Sequence, residues 1–238
     1  MIAPISTWVG FEISLIGDSL RNAAEATQDP VVREQLLAGA ANLRRQIANV
    51  RLHGVTPVVA VNSFPTDYPS ERDAILQVAA EEGVHAAVST HFTEGGKGAA
   101  ELAEVVAEAC EQPGGFRHLY DTDMSLVDKI DTVARNVYGA DGVDVAPPAQ
   151  RQLDAYERLG FGNLPVCIAK THLSLSADPT LVGAPTGWRL PVREVRASVG
   201  AGFIYAICGD MRTMPGLSSA PAAERIDIDD AGEIVGLS

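Results

Sequence analysis

Apolar residues recur at helical spacing along Ser19–Val50, through Leu36, Leu37, Ala40, Leu43, Ile47 and Val50. Asp29-Pro30 supplies a start for the second half of this helix, because proline is tolerated in a first turn, and Gly54 supplies a stop. The pattern then changes. Val55–Val61 is a short continuous apolar run rich in β-branched residues. With no alternation, it predicts a strand buried on both faces. Polar Asn62 and Ser63 follow, then Phe64-Pro65-Thr66-Asp67. A helix is expected from Pro69-Ser70-Glu71 to Glu82, ended by Gly83, with a second strand at His85–Ser89. A loop, Thr90–Gly98, leads into a third helix at Ala99–Glu111. Helices alternating with buried strands predict an α/β fold, a mostly parallel sheet flanked by helices.

Beyond Gly114 the elements shorten and glycine and proline become more frequent, predicting a smaller α+β C-terminal region. A strand is expected at His118–Tyr120 and a helix at Ser125–Tyr138, capped by Asp123 or Ser125 and closed by Gly139. A further helix is expected at Pro147–Leu159, with strands at Val166–Lys170, Val192–Ser198 and Phe203–Ile207. The chain thus divides into an N-terminal segment (1–38), an α/β part (39–113) and a C-terminal α+β part (114–238). No internal repeat or low-complexity stretch interrupts it.

Composition narrows the function classes. The net charge of −13 opposes long contacts with nucleic-acid backbone or an anionic membrane, though a small anion could still bind at a locally basic spot. No run reaches the ~20 apolar residues of a membrane span. The apolar start, Met1–Ile16, lacks a basic flank and is interrupted by Glu12, so no signal peptide is read. Cys110, Cys167 and Cys208 fit no metal or redox spacing and are expected to be small buried apolar residues, reduced, in a cytoplasmic protein.

Ligands of parallel sheets bind beyond the carboxyl ends of the strands. Two loops lie there, Asn62–Asp67 and Thr90–Gly98, and each carries a phenylalanine, Phe64 and Phe92, in a chain only 5% aromatic. Two such rings could sandwich a flat heterocycle, with Asn62 and Asp67 reading its edge; alternatively the rings fold back into the core and the polar residues form turns. His91 stands beside Phe92 and is open to titration or simple solvation. Glu94-Gly95-Gly96-Lys97-Gly98 is the nearest approach to a phosphate loop, but no Ser or Thr follows the lysine and the pattern's first glycine is missing. It is either a turn or a ligand-binding loop, with free amides at the start of the next helix. No Ser/His/Asp triad and no metal-ligand set is visible.

Several long strings resemble the C-terminal portion of formate–tetrahydrofolate ligases: NVRLHGVTPVVAVNSFPTD (49–67), GGKGAAELAEVVAEACE (95–111), DKIDTVARNVYGADGV (128–143), LGFGNLPVCIAKTHLSLSADP (159–179) and LPVREVRASVGAGFIYAICGDMRTMPGL (190–217). The resemblance covers the chain from about Gly39 onward. It implies a tetrahydrofolate site in which Phe64 and Phe92 hold the pterin, with Asn62, Pro65 and Asp67 around it. Family members commonly carry Trp where Phe92 stands. It also implies that Pro191 helps wall an adenine pocket.

What the resemblance implies for function is one-carbon metabolism: formyl phosphate made from formate and ATP with Mg, then formyl transfer to N10 of tetrahydrofolate. The family's phosphate-binding loop belongs to an N-terminal domain outside the strings matched here, and the catalytic residues are left unassigned. The expectation is therefore a piece that does not run the ATP-dependent reaction alone and works beside an N-terminal ligase domain in trans, as a homo-oligomer. The alternatives are a stand-alone folate-binding module and a non-catalytic truncated relic.

Overall fold

The structure, a computed structural model, describes residues 39–67, 69–211 and 221–236. Helix α1 (Ala41–Leu52) ends at Gly54, whose φ of 67° suits a residue without a side chain. Strand β1 (Val58–Asn62) follows, then α2 (Pro69–Glu81) and β2 (His85–Ser89). β1 and β2 pair in parallel from Val58 with His85 to Asn62 with Ser89, and α2 forms the crossover. The region expected as a loop winds into a short helix, α3 (His91–Glu94), and a 3-10 turn at Gly95–Ala99 before α4 (Ala100–Glu111). The core of this half is Ile47, Val59, Val61 and Ala79, with Leu43, Ile75, Leu76, Val84, Ala86 and Val88 packed around it.

The second half is built on a four-stranded sheet in the order β3 (Val143–Val145), β5 (Leu190–Ser198), β6 (Phe203–Cys208), β4 (Val166–Ala169). Its outer pairs are parallel and its central pair antiparallel. Helices α5 (Leu126–Val133) and α6 (Pro147–Arg158) bury Leu126, Ile130, Ala149 and Leu153 against Leu190, Val192, Val195, Ile204 and Ala206. The α/β reading therefore holds, with the strands shared among three sheets. A two-stranded hairpin, β7 (Asp227–Ile228) and β8 (Ile234–Val235), completes the described chain.

Several expectations are corrected. His118–Tyr120 forms no strand. The segment is held by single bonds instead: the Arg117 N–H donates to the His53 carbonyl at 3.0 Å, and the Tyr120 hydroxyl accepts from the Val166 N–H at 2.9 Å. The helix expected to Tyr138 is α-helical only to Val133, then widens into a π turn at Ala134–Tyr138 closed by Gly139. Arg45 of α1 lies over this turn and donates to the carbonyls of Arg135, Asn136 and Val137 at 2.9–3.0 Å. Of the two candidate caps, Ser125 takes the role, its Oγ accepting from the Asp128 N–H at 3.1 Å. Only Cys208 is buried. Cys110 lies exposed on α4, and Cys167 points outward on β4. The first half of the expected Ser19–Val50 helix falls outside the described residues, within which no helix is long and apolar enough to cross a membrane.

Candidate functional site

The carboxyl ends of β1 and β2 are tied together one residue past their register, where the Ser63 N–H donates to the Ser89 carbonyl at 2.8 Å. Both serines are buried, at 6% and 1% exposure. Immediately beyond, Phe64–Asp67 closes as a turn. The Asp67 carboxylate accepts from the Phe64 N–H at 2.7 Å, and the Asp67 N–H returns to the Phe64 carbonyl at 3.0 Å. Asp67 is thus engaged as a turn former. Pro65 is exposed in the same turn, and Asn62 is half-buried as the last residue of β1.

The turn lifts Phe64 off the sheet to 41% exposure. Across from it, α3 presents Phe92 at 65% exposure. Neither ring folds back into the core. Their centroids stand 5.1 Å apart with planes inclined at 59°, so the two rings rest on each other. A flat ring sandwiched between them needs two van der Waals contacts, roughly 7 Å between parallel faces. The pair must part by about 2 Å to accept one.

Loop 90–98 holds the position of Phe92. The Thr90 N–H donates to the Gly98 carbonyl at 2.9 Å, and the Thr90 hydroxyl donates to Glu94 at 2.6 Å. Gly98 permits this closure, since a Cβ there would stand 2.5 Å from Thr90 Oγ1 and 2.7 Å from the Thr90 backbone. Lys97 is exposed, and α4 begins without a side-chain cap. Next to Phe92 in the chain, His91 has Nδ1 3.0 Å from Ser89 Oγ. A cation also arrives that sequence reading missed: Arg72, in the first turn of α2, donates from Nη1 to Ser63 Oγ at 2.9 Å. No local signal could have found it, because the contact spans nine residues across a turn.

Pro191 does not join this cluster. It lies on β5 in the other half and lines an open cavity of about 420 Å³ with Asp144, Val145, Ala146, Val192, Arg193, Gly209 and Asp210. A β-bulge at this point, between Val192 and Glu194, lets Arg193 donate to the Met211 carbonyl at 2.9 Å. Asp144 is engaged by Arg189 at 2.6 Å. Among the described residues no group of His, Cys, Asp and Glu is arranged to hold a metal ion.

A third polar group lies at the end of β4. The Lys170 ammonium sits 4.7 Å from the Tyr138 ring centroid and donates to the carbonyls of Thr171 and Ser174. Burial pulls its pKa down to about 8. Burial also pushes the Tyr138 hydroxyl and the Cys208 thiol each up to about 12. All three groups are therefore held toward their neutral forms.

The fold and the strand-end cluster define an α/β protein that presents an aromatic pair where parallel sheets receive their ligands. Comparison with known proteins makes this specific. The family model described as formate–tetrahydrofolate ligase matches residues 17–238, and the chain belongs to that family. It is 70% identical over 205 residues to the formate–tetrahydrofolate ligase of Saccharopolyspora erythraea, which covers 86% of this chain and 36% of that protein. The corresponding protein of Cutibacterium acnes is 63% identical over 204 residues, and that of Roseiflexus castenholzii 54% over 206, with the same shares covered. The chain thus spans about a third of the length of the curated relatives it matches.

Proposed function

We propose that this chain is the folate-holding portion of a formate–tetrahydrofolate ligase and that it binds tetrahydrofolate through the pterin, between Phe64 and Phe92. The observation that carries the reading is the pair of exposed rings hung from adjacent parallel strand ends. Exposed aromatics of this size are costly to leave in water and pay for themselves by stacking on a flat ligand. Asn62, Pro65 and Asp67 shape the turn that carries one ring, so their part is to place Phe64.

Pro191 belongs to the nucleotide side of the same proposal. Its cavity offers an apolar wall, Pro191 with Val192, suited to a purine. Its lining carries one cation, Arg193, against the carboxylates of Asp210 and of Asp144, the latter paired with Arg189, too little positive charge to hold a triphosphate. Phosphoryl transfer needs positioned cations and amides around the phosphates. ATP, Mg and the chemical step are accordingly assigned to the remainder of the ligase, supplied as an N-terminal domain, in a cytoplasmic homo-oligomer.

Titration calorimetry of the purified chain with tetrahydrofolate, with and without ATP and formate, tests the proposal. Saturable binding that ATP leaves unchanged is the expected result. Absence of binding by the folded chain would reject a self-sufficient pterin site. Restoration of ligase turnover by adding an N-terminal ligase portion would identify the partner that supplies the phosphate site.

A further inference from the structure

We infer that Arg72 and Ser63 form the floor of the aromatic slot and select a heterocycle that presents a ring carbonyl there over one that presents a ring amine. The inference rests on the reading of Phe64 and Phe92 as the ligand's stacking faces. Three observations carry it.

The first is position. The Ser63–Ser89 hydrogen bond joins the two strand ends from which the rings hang, Phe64 one residue beyond Ser63 and Phe92 three residues beyond Ser89. A flat molecule pushed between the rings therefore meets these strand ends edge-on. Both serines are largely buried, Ser63 slightly less than Ser89, so only an edge that displaces the ring pair reaches them.

The second is the unspent charge on Arg72. Arg44, Arg51, Arg135, Arg189 and Arg196 each stand against a carboxylate. Among the described residues Arg72 stands against none, nor do Arg45, Arg158 and Arg193, which donate to backbone carbonyls; Arg72 is the one of these whose bond reaches the strand ends, at the neutral Ser63 hydroxyl. In a chain of net charge −13, this places an unneutralised cation beside the strand ends, where it attracts an electron-rich ring edge.

The third is donor polarity. A guanidinium only donates. Ser63 Oγ accepts from Arg72, so its own proton remains free to donate onward. Both groups offer hydrogens, and both match an acceptor such as the 4-oxo group of a pterin. A 4-amino group in the same place would set donor against donor beside a positive charge.

The test uses two tail-less compounds of equal size, 6-methyltetrahydropterin and its 2,4-diamino counterpart, titrated into the whole chain. Stacking is common to both, so their affinity ratio isolates the floor. The folded wild type is expected to favour the oxo compound by about tenfold or more, the worth of one charged hydrogen bond. Arg72→Leu should bring the ratio close to one by weakening the oxo compound without weakening the diamino one, and Arg72→Lys should retain part of the preference. Equal affinities in the wild type would overturn the inference and leave the stacking slot intact. So would an Arg72→Leu variant that weakens both compounds alike, because that marks a structural role. Failure of the folded wild type to bind either compound would overturn the slot itself, and the inference with it.

Discussion

Removing the two rings singly and together should give losses that do not add. In the free chain Phe64 and Phe92 rest on each other at 5.1 Å, and such an aromatic pair is worth about 1 kcal/mol. A pterin entering between them gains two stacks, each about 2 kcal/mol, and breaks the pair. Phe64→Ala or Phe92→Ala alone loses one stack but no longer has a pair to break, a net cost of about 1 kcal/mol, or fivefold in Kd. The double variant loses both stacks and regains one pair energy, about 3 kcal/mol, or more than a hundredfold. The double loss should therefore exceed the sum of the single losses by the energy of the ring pair, about 1 kcal/mol, a coupling that a double-mutant cycle measures directly. Calorimetric titration with tetrahydrofolate across the four proteins is the assay. Strict additivity would refute the closed pair in the free chain. Unchanged affinity in all four would refute stacking between these rings.

Other features give further expectations. Gly98→Ala sets a methyl 2.5 Å from Thr90 Oγ1 and against its backbone, so loop 90–98 should open, with a stability loss of about 1–3 kcal/mol in urea titration and weaker folate binding; unchanged values would contradict the closure. Lys129 is fully buried, with Nζ donating to the carbonyls of Thr122, Gly162 and Leu164 at 2.6, 2.5 and 3.2 Å, and Lys129→Met should cost about 3 kcal/mol or more in chemical denaturation by stranding those acceptors. Lys170 supplies a pH signature. Its pKa is lower in the folded chain, about 8 against 10.5, so the unfolded chain binds more protons between those values and stability gains from this lysine as pH rises through that window. Cys208, raised from 9.0 to about 12, and Tyr138, raised from 10.0 to about 12, give the opposite trend in both proteins, and losing the Lys170 charge only pushes the thiol further up, so both groups stay protonated in the folded state across this window. The stability difference, wild type minus variant, should therefore climb from pH 8 toward 10.5, and a flat difference would place the lysine in solvent.

The legible parts of the fold were those whose signal is local. β1 and β2 were readable as short apolar runs, although burial on both faces was not met: only Val59 and Val61 of β1 are buried and Ala60 is exposed; α2, α4 and α6 were readable because proline and glycine mark their ends. β3 is three residues long and β7 and β8 two each, too short to show any periodicity, so they form only because a partner strand is already there. His118–Tyr120 failed in the other direction: aromatic and branched residues favour a strand, but no neighbouring strand offers it a ladder. Cysteine's general preference for burial misled for Cys110 and Cys167, whose faces on α4 and β4 look outward. At the site, the two rings stood out as apolar residues in polar loops. Arg72 did not, since a cation in the first turn of a helix looks like any solvated charge until the fold brings Ser63 beneath it.

The separation of the two cores bears on the order in which the chain is assembled. Among the described residues the Ile47–Ala79 core draws on positions between Leu43 and Val88, and the other on positions between Leu126 and Cys208. Domains emerging from the ribosome fold as units, N-terminal first. The first core has all its members before the second has any, so a stalled or shortened product that ends before Leu126 still carries a complete hydrophobic nucleus. The Arg45 clamp is different, because its three carbonyls belong to residues made some ninety positions later. Its acceptors, like the Gly183 carbonyl that takes a hydrogen bond from Asn42, are made only after the first core is complete, so these bonds tie a later-made half onto an earlier one.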